Sequence, residues 1–197
     1  ECASVAFCNP MQTRERRIGS PGRPLAIEAR VVDRERRTLP VGERGEIQLR
    51  GPGVMLGYYR APELTAASLS DDGWLATGDL GYRDDDGFYF VTGRSKELII
   101  KGGENIAPRE IDEALLRHPA VLEAAAVGVP DRDYGQEILA CVVVKPDRTL
   151  TRDEIDLHCQ RELGRYKSPR YVRFVDALPK GPSGKVQRMK LAEGFAP

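Results

Sequence analysis

The sequence predicts an α+β chain in two parts: a β-rich stretch over residues 1–95 and a small α+β domain over 96–197. Three observations predict it. In the first part, short alternating apolar runs are separated by Gly, Pro and Asp, the pattern of half-buried strands joined by turns. In the second, apolar strands and amphipathic helices follow in the order β-β-α-β-β-α-β-α, which packs helices on a short sheet. The character changes near residues 93–96.

Each element has a local justification. AIEARVV at 26–32 and EIQLR at 46–50 alternate as strands do, and DRERRTLPVGERG between them is turn chemistry. PELTAASL at 62–69 suits a short helix with Pro62 in its first turn. WLATGDLGYRDDDGFYFVTGR reads as strand, hairpin and strand, with Asp-Gly at the tip.

In the second part, ELIIKGGENIAP at 97–108 gives two short strands around a Gly-Gly turn. PREIDEALLRHP at 108–119 is a helix: Pro108 starts it, Ile111, Leu115 and Leu116 stripe it, and Pro119 stops it. VLEAAAVGV at 121–129 and EILACVVV at 137–144 are apolar strands joined by DRDYGQ. Thr151 and Glu154 form a capping box for a helix running to about Leu163. YVRFVDAL at 171–178 is a third strand of this group, and KVQRMKLAE predicts a terminal helix.

A hydrophobic content of 41% allows a real core, and 30 basic residues against 30 acidic ones leave no surplus for a general nucleic-acid or acidic-membrane binder. The RERR runs at 14–17 and 34–37 sit beside turn sequence and predict solvated charge. Cys2, Cys8, Cys141 and Cys159 show no C-x-x-C spacing. Free thiols buried in a reducing, cytoplasmic setting are expected rather than disulfides or a metal site. His118 and His158 are too few and too far apart in sequence to indicate metal ligation. No apolar run approaches the roughly 18 residues of a membrane span. No signal peptide or known targeting tail is evident, the final residues being GFAP. A chain beginning at Glu1 with ECASVAF, without cap or turn ahead of it, is expected to be an internal piece of a longer one.

Singly, the motifs are weak. GPSGKVQR at 181–188 is not a phosphate-binding P-loop, which needs four residues between its glycines and Ser or Thr after the lysine. TGDL at 77–80 is common, and GGEN at 102–105 suits any turn. In order, however, GEIQLRGPGVMLGYY, WLATGDLG, GRSKELIIKGGENIAPREID and GKVQR closely resemble the acyl-CoA synthetase branch of the adenylate-forming, AMP-binding enzymes. SPGRP, HPAV, VGVPD-x-x-YGQE, YKSP and VDALPKGPSGK agree in type and order, so the resemblance covers essentially the whole chain. The run from Gly93 to Val121 is most similar to the small-acid and oxalate-type CoA ligases.

The resemblance implies a β-rich, distorted-barrel subdomain from the end of the family's large domain, then its small mobile C-terminal domain. It implies ATP-dependent conversion of a carboxylic acid to an acyl adenylate, then transfer to coenzyme A, a chemistry shared with fatty acid metabolism. Asp79 resembles the ribose-binding aspartate, whose two oxygens suit two hydroxyls. Arg94 resembles an arginine reaching the ribose or phosphates, and Glu1 a glutamate helping to hold Mg²⁺. Lys96 falls where the family's C-terminal domain rotates. Gly102, Gly103 and Glu104 match the turn lining the coenzyme A tunnel. Lys185 resembles the lysine that bridges carboxylate and α-phosphate during adenylation.

Each residue also has a plain structural role open to it. Asp79 suits a turn, Arg94 a surface junction, Gly102 and Gly103 a bare hairpin, and Lys185 a solvated loop. Most of Tyr58, Tyr59, Trp74, Phe88 and Tyr89 are expected in packing, and Lys167 and Arg170 in solvent rather than on coenzyme A phosphates. The family's Gly- and Ser/Thr-rich phosphate loop, adenine pocket and acyl pocket are absent, so the isolated chain is expected to be inactive without the missing N-terminal part. Two other functions stay open at this point: an adenylation module loading a carrier protein, and a non-catalytic interaction domain.

Overall fold

A computed structural model describes residues 1–3 and 5–195. Ser4 in ECASVAF and the last two residues of the GFAP tail lie outside them. The chain divides into two compact units, Glu1–Ser95 and Lys96–Pro197.

The first unit holds the ribbon β1 (Phe7–Cys8) and β2 (Arg23–Pro24). It also holds the antiparallel meander β3 (Glu28–Val32), β4 (Gly45–Arg50), β5 (Leu75–Arg83) and β6 (Tyr89–Arg94). The helix α1 (Pro62–Ser68) lies between β4 and β5 in sequence. The α+β class is as expected, but among the described residues the meander is an open sheet of four strands rather than a closed barrel. β3 starts two residues later than alternation predicts, because Ala26 takes φ 55° and breaks the extended run. At the hairpin tip, Asp84 accepts from the backbone N–H of Phe88 at 2.8 Å, so the DDDG turn closes itself.

The core of this unit is Val31, Ile47, Leu49 and Tyr89, with Phe7, Ile27 and Val91 packed against it. Trp74, Phe88 and Tyr89 are buried as expected. Tyr59 is 85% exposed, and the Tyr58 hydroxyl is committed to a carboxylate, so neither is a core residue.

The second unit contains β7 (Ile99–Lys101), β8 (Glu104–Ile106), α2 (Pro108–Leu116), β9 (Val121–Asp131), β10 (Gly135–Val144), α3 (Arg152–Lys167) and β11 (Tyr171–Phe174). β10 is central: antiparallel to β9 along its length, parallel to β11 over Leu139–Val142, and joined to β7 through Gly135 and Lys101. Its apolar run is continuous because both faces are covered. Ile138, Ala140 and Val142 meet Ile111, Leu115, Ile155 and Cys159 from the helices, while Leu139, Cys141 and Val143 meet Leu178 and Leu191.

All four cysteines are free, and burial pushes the Cys159 thiol up to about 11. Thr151 caps α3 through the predicted box with Glu154. α3 continues past Leu163 to Lys167 across a kink at Gly164, which takes φ 73°. β11 stops at Phe174, four residues short of the expected strand end.

The expected helix over 185–193 is not formed. Lys180 bridges to Val186 instead, and helical turns begin only at Arg188, as a short 3-10 segment to Ala192. The closed hairpin uses up the residues that would have made the first helical turn.

Candidate functional site

In the first unit, β5 and β6 place Asp79 directly opposite Arg94. Arg94 Nε lies 2.9 Å from Asp79 Oδ1, with the arginine side chain 57% exposed and the aspartate 31%. The backbone before Asp79 is pinned on both sides. Thr77 Oγ1 donates to the Ile47 carbonyl at 2.6 Å and accepts the Asp79 N–H at 3.1 Å. The Gly78 N–H donates to Glu46 Oε1 at 3.0 Å, and Gly78 takes φ 72°, a conformation that favours glycine. The β4–β5 register is irregular across this segment, and the β5–β6 register shifts just after it, between Leu80 and Gly81.

Glu1 joins the same neighbourhood. Its carbonyl accepts from the Met55 N–H at 2.8 Å, and its carboxylate accepts from the Tyr58 hydroxyl at 2.7 Å. The Tyr58 bond foremost, and Arg94 more weakly, lower the Glu1 carboxyl from its ordinary range, against partial burial. Arg94 thus pairs directly with Asp79 and acts electrostatically on the Glu1 carboxylate, giving a patch of two carboxylates and a guanidinium. Sequence patterning did not single out Tyr58; its place in the LGYY segment carries no chemical signal. An open groove of about 530 Å³ beside α1, lined by Leu56, Pro62, Thr65 and Leu69, shares only Tyr58 with this patch. Its charged lining residues are Arg60 and Asp71; Glu1, Asp79 and Arg94 are not among them.

The second unit carries Lys96, the Gly-Gly turn and Lys185. Lys96 is exposed in a single 3-10 turn, Ser95–Glu97, at the junction of the two units. Gly102 and Gly103 close the β7–β8 hairpin at φ 54° and 85°. A Cβ at Gly102 would stand 2.9 Å from Tyr166 Oη, while one at Gly103 would meet open space. Glu104 is exposed beside them.

The base of this hairpin is braced by a buried ion pair. Lys101 Nζ lies 2.6 Å from Glu137 Oε1, with the two side chains 7% and 4% exposed. Lys101 Nζ also donates to the Tyr166 carbonyl, and the Tyr166 hydroxyl returns a bond to the Lys101 carbonyl. Gln136 adds a side-chain bond to the Ile100 N–H at 2.7 Å. Nothing in the motif marks Lys101 and Glu137 as partners; a lysine in a strand otherwise apolar on that face was the available signal. Lys167 pairs with Glu110 at 2.8 Å and is partly exposed, while Arg170 is exposed as expected and lies 3.4 Å from Asp131.

Lys185 sits on a compact hairpin. The Gly181 N–H donates to the Lys185 carbonyl at 2.8 Å, the Gly184 N–H to the Gly181 carbonyl, and the Gln187 N–H to the Pro179 carbonyl. The Lys185 side chain is exposed and has no hydrogen-bond or ion-pair partner among the described residues. Three residues on, Arg188 is only 14% exposed and tied to Asp112, Glu97 and the Ala126 carbonyl. Burial raises the Asp112 carboxyl above its ordinary range, opposed by its bonds from Arg188 and the Ala126 N–H. Arg188 lies inside the quoted GKVQR motif, but sequence alone gave it no role.

Among the described residues there is no cluster of three or more potential metal ligands, and no helix is long and apolar enough to cross a membrane. The family model described as "AMP-binding enzyme" matches residues 1–59, and that described as "AMP-binding enzyme C-terminal domain" matches 110–185. A sulfoacetate–CoA ligase from Cupriavidus necator is 61% identical over 97% of this chain, and 38% of its own length is covered. An oxalate–CoA ligase from Arabidopsis thaliana is 39% identical over 99% of this chain, again covering 38% of the relative. The crystal structure of ATP-bound MatB from Rhodopseudomonas palustris superposes with a TM-score of 0.86 at 39% identity, covering 90% of this chain and 36% of that one. The chain therefore spans little more than a third of the length of these relatives.

Proposed function

The chain belongs to the AMP-binding, adenylate-forming enzyme superfamily, and from that premise we propose that it is the C-terminal part of an acyl-CoA ligase. Residues 1–95 would end the large AMP-binding domain, and 96–197 would form the mobile C-terminal domain. The reaction activates a carboxylic acid with ATP and then transfers the acyl group to coenzyme A. In the first half, a carboxylate oxygen attacks the α-phosphate and pyrophosphate leaves. In the second, the coenzyme A thiol attacks the acyl carbon and AMP leaves. A free carboxylate resists thiols because oxide is a poor leaving group, and the mixed anhydride removes that obstacle. For the acid we propose a small one, on the strength of the sulfoacetate- and oxalate-directed relatives.

The observation that carries this proposal is the exposed patch of Glu1, Asp79 and Arg94. Asp79 gives one oxygen to Arg94 and keeps acceptor capacity for ribose hydroxyls. Arg94 keeps unused guanidinium donors for ribose or phosphate oxygens. Glu1 spends one carboxylate oxygen on the Tyr58 hydroxyl and keeps the other for a hard-cation ligand role of the Mg²⁺ type. That ion commonly takes one or two protein carboxylates and completes its shell with substrate phosphates and water. When bound, Mg²⁺ would neutralise phosphate charge. In the second unit we assign adenylation to Lys185, the coenzyme A tunnel to Gly102, Gly103 and Glu104, and the hinge to Lys96. The two buried, unpaired thiols suit a reducing, cytoplasmic setting.

The test is ATP–pyrophosphate exchange in the full-length chain. Lys185→Ala should lower exchange by about 10²–10³, the usual cost of losing one electrostatic contact to developing charge. The 197-residue chain alone should show none. Unchanged exchange in Lys185→Ala would overturn the assignment. Offering coenzyme A or a holo carrier protein as acceptor separates the ligase from a carrier-loading module.

A further inference from the structure

Lys185 has no side-chain partner among the described residues, yet its hairpin is not tethered loosely. Val186 packs against the cluster containing Leu178 and Leu191, and the next inward side chain is Arg188. Its guanidinium engages three separate elements of the second unit. Nη1 donates to the Ala126 carbonyl in β9 at 2.6 Å and approaches Asp112 Oδ1 at 3.3 Å. Nη2 donates to Asp112 Oδ2 in α2 at 2.8 Å, and Nε to Glu97 Oε2 at 3.2 Å. The Ala126 N–H itself donates to Asp112 Oδ1 at 2.6 Å, so carboxylate, peptide and guanidinium form a closed ring. The contacts span 62, 76 and 91 residues of sequence.

We propose that Arg188 is a positioning residue for adenylation: it fixes the base of the Lys185 hairpin to α2, β9 and the Glu97 segment, so that Lys185 is presented in one place. This rests on the assignment of Lys185 above. The physical need is orientation. A lysine on a free loop must be ordered at the moment of reaction, at an entropic cost; a hairpin locked in advance has met that cost already. Arginine suits the task because its rigid fork addresses three acceptors at once. A lysine in its place is a point charge that cannot hold the same geometry. Glu97 follows Lys96 directly, so the same guanidinium ties the Lys185 hairpin to the first residues after the junction.

The experiment uses the full-length enzyme and measures the two half-reactions separately. Arg188→Lys should lower the kcat of ATP–pyrophosphate exchange at least tenfold, with KM for ATP within twofold. Conversion of preformed acyl adenylate to thioester should stay within twofold of the unmodified enzyme. Asp112→Asn, which keeps the shape but not the charge of the acceptor, should give a smaller loss in the same half-reaction. It is the variant to use if Arg188→Lys does not fold. Lys185→Ala runs in parallel. If it abolishes exchange while Arg188→Lys and Asp112→Asn retain full activity, the positioning role is wrong and the Lys185 assignment stands. Equal losses in both half-reactions, together with a lowered melting temperature, would make Arg188 a purely structural residue and also overturn the proposal. If Lys185→Ala leaves exchange intact, the assignment of Lys185 fails and takes the positioning role with it.

Discussion

The Asp79–Arg94 pair and the Lys185 hairpin are held by different means. Asp79 and Arg94 meet because they are partners in adjacent strands joined by a tight turn, and the supporting bonds come from Thr77 and its cross-strand neighbour Ile47. The Lys185 hairpin closes locally, but it is fixed to its unit by Arg188, through residues up to 91 positions away. The Gly102–Gly103 turn follows the second pattern, through Lys101 and Glu137. Strand register can aim a side chain on a sheet. A loop that leaves the sheet must be braced by long-range polar contacts, and those are energetically sensitive when buried.

The largest expected effect tests that sensitivity. Lys101→Met should destabilise the second unit by about 3 kcal/mol, because it leaves the buried Glu137 with only the half-exposed Arg170, at 4.0 Å, as counter-charge. Amide hydrogen exchange should show faster opening of β7, β8 and β10 while β3–β6 keep their protection. The double variant Lys101→Met/Glu137→Gln should recover much of the loss. Failure to recover would mean that packing rather than charge carries the brace.

Thr77→Val examines the locally built site. It removes a donor to the Ile47 carbonyl and an acceptor for the Asp79 N–H. We expect a cost of about 1 kcal/mol, read as faster exchange of the β4–β5 amides. A loss as large as that of Lys101→Met would erase the contrast between the two regions. Thr151→Ala calibrates the scale within the second unit: an exposed capping box should be worth about 1 kcal/mol, confined to the first turns of α3.

The smallest effect is a pH dependence. Burial, then the neighbouring His158 ring at 5.1 Å, hold the His118 imidazole below its ordinary value near 6.5, against the pull of Glu154. The folded state therefore binds fewer protons than the unfolded state between the lowered value and 6.5. Stability from this group is full above 6.5, falls as pH drops through the window and levels off below it. His118→Gln should flatten that slope in thermal melts taken across the window; an unchanged slope would remove His118 as its source.

Much of the architecture was legible from local pattern. The capping box at Thr151, the Pro-bounded helix from Pro108 and the Asp-Gly hairpin before Phe88 all form, because each signal satisfies its own backbone. Of the expected site residues, the structure pairs Asp79 with Arg94. The misses share a cause. The helix expected from Lys185 gives way to a hairpin because Lys180 and Val186 pair across the turn. Tyr58 was expected in packing and instead bonds the Glu1 carboxylate from 57 residues away. Lys167 was expected in solvent and is partly covered, its ammonium on Glu110 of another element.

The sequence by itself determined the family and the periodicity of strands and helices. Those follow from side-chain pattern and from turn residues that act on their immediate neighbours. Only the tertiary structure decided which charges are buried together. Arg188 reaches Asp112 and Glu97, and Lys101 reaches Glu137, because the packing of α2, β9 and β10 brings distant positions within hydrogen-bond range. Removing such groups from water leaves them little alternative but to pair.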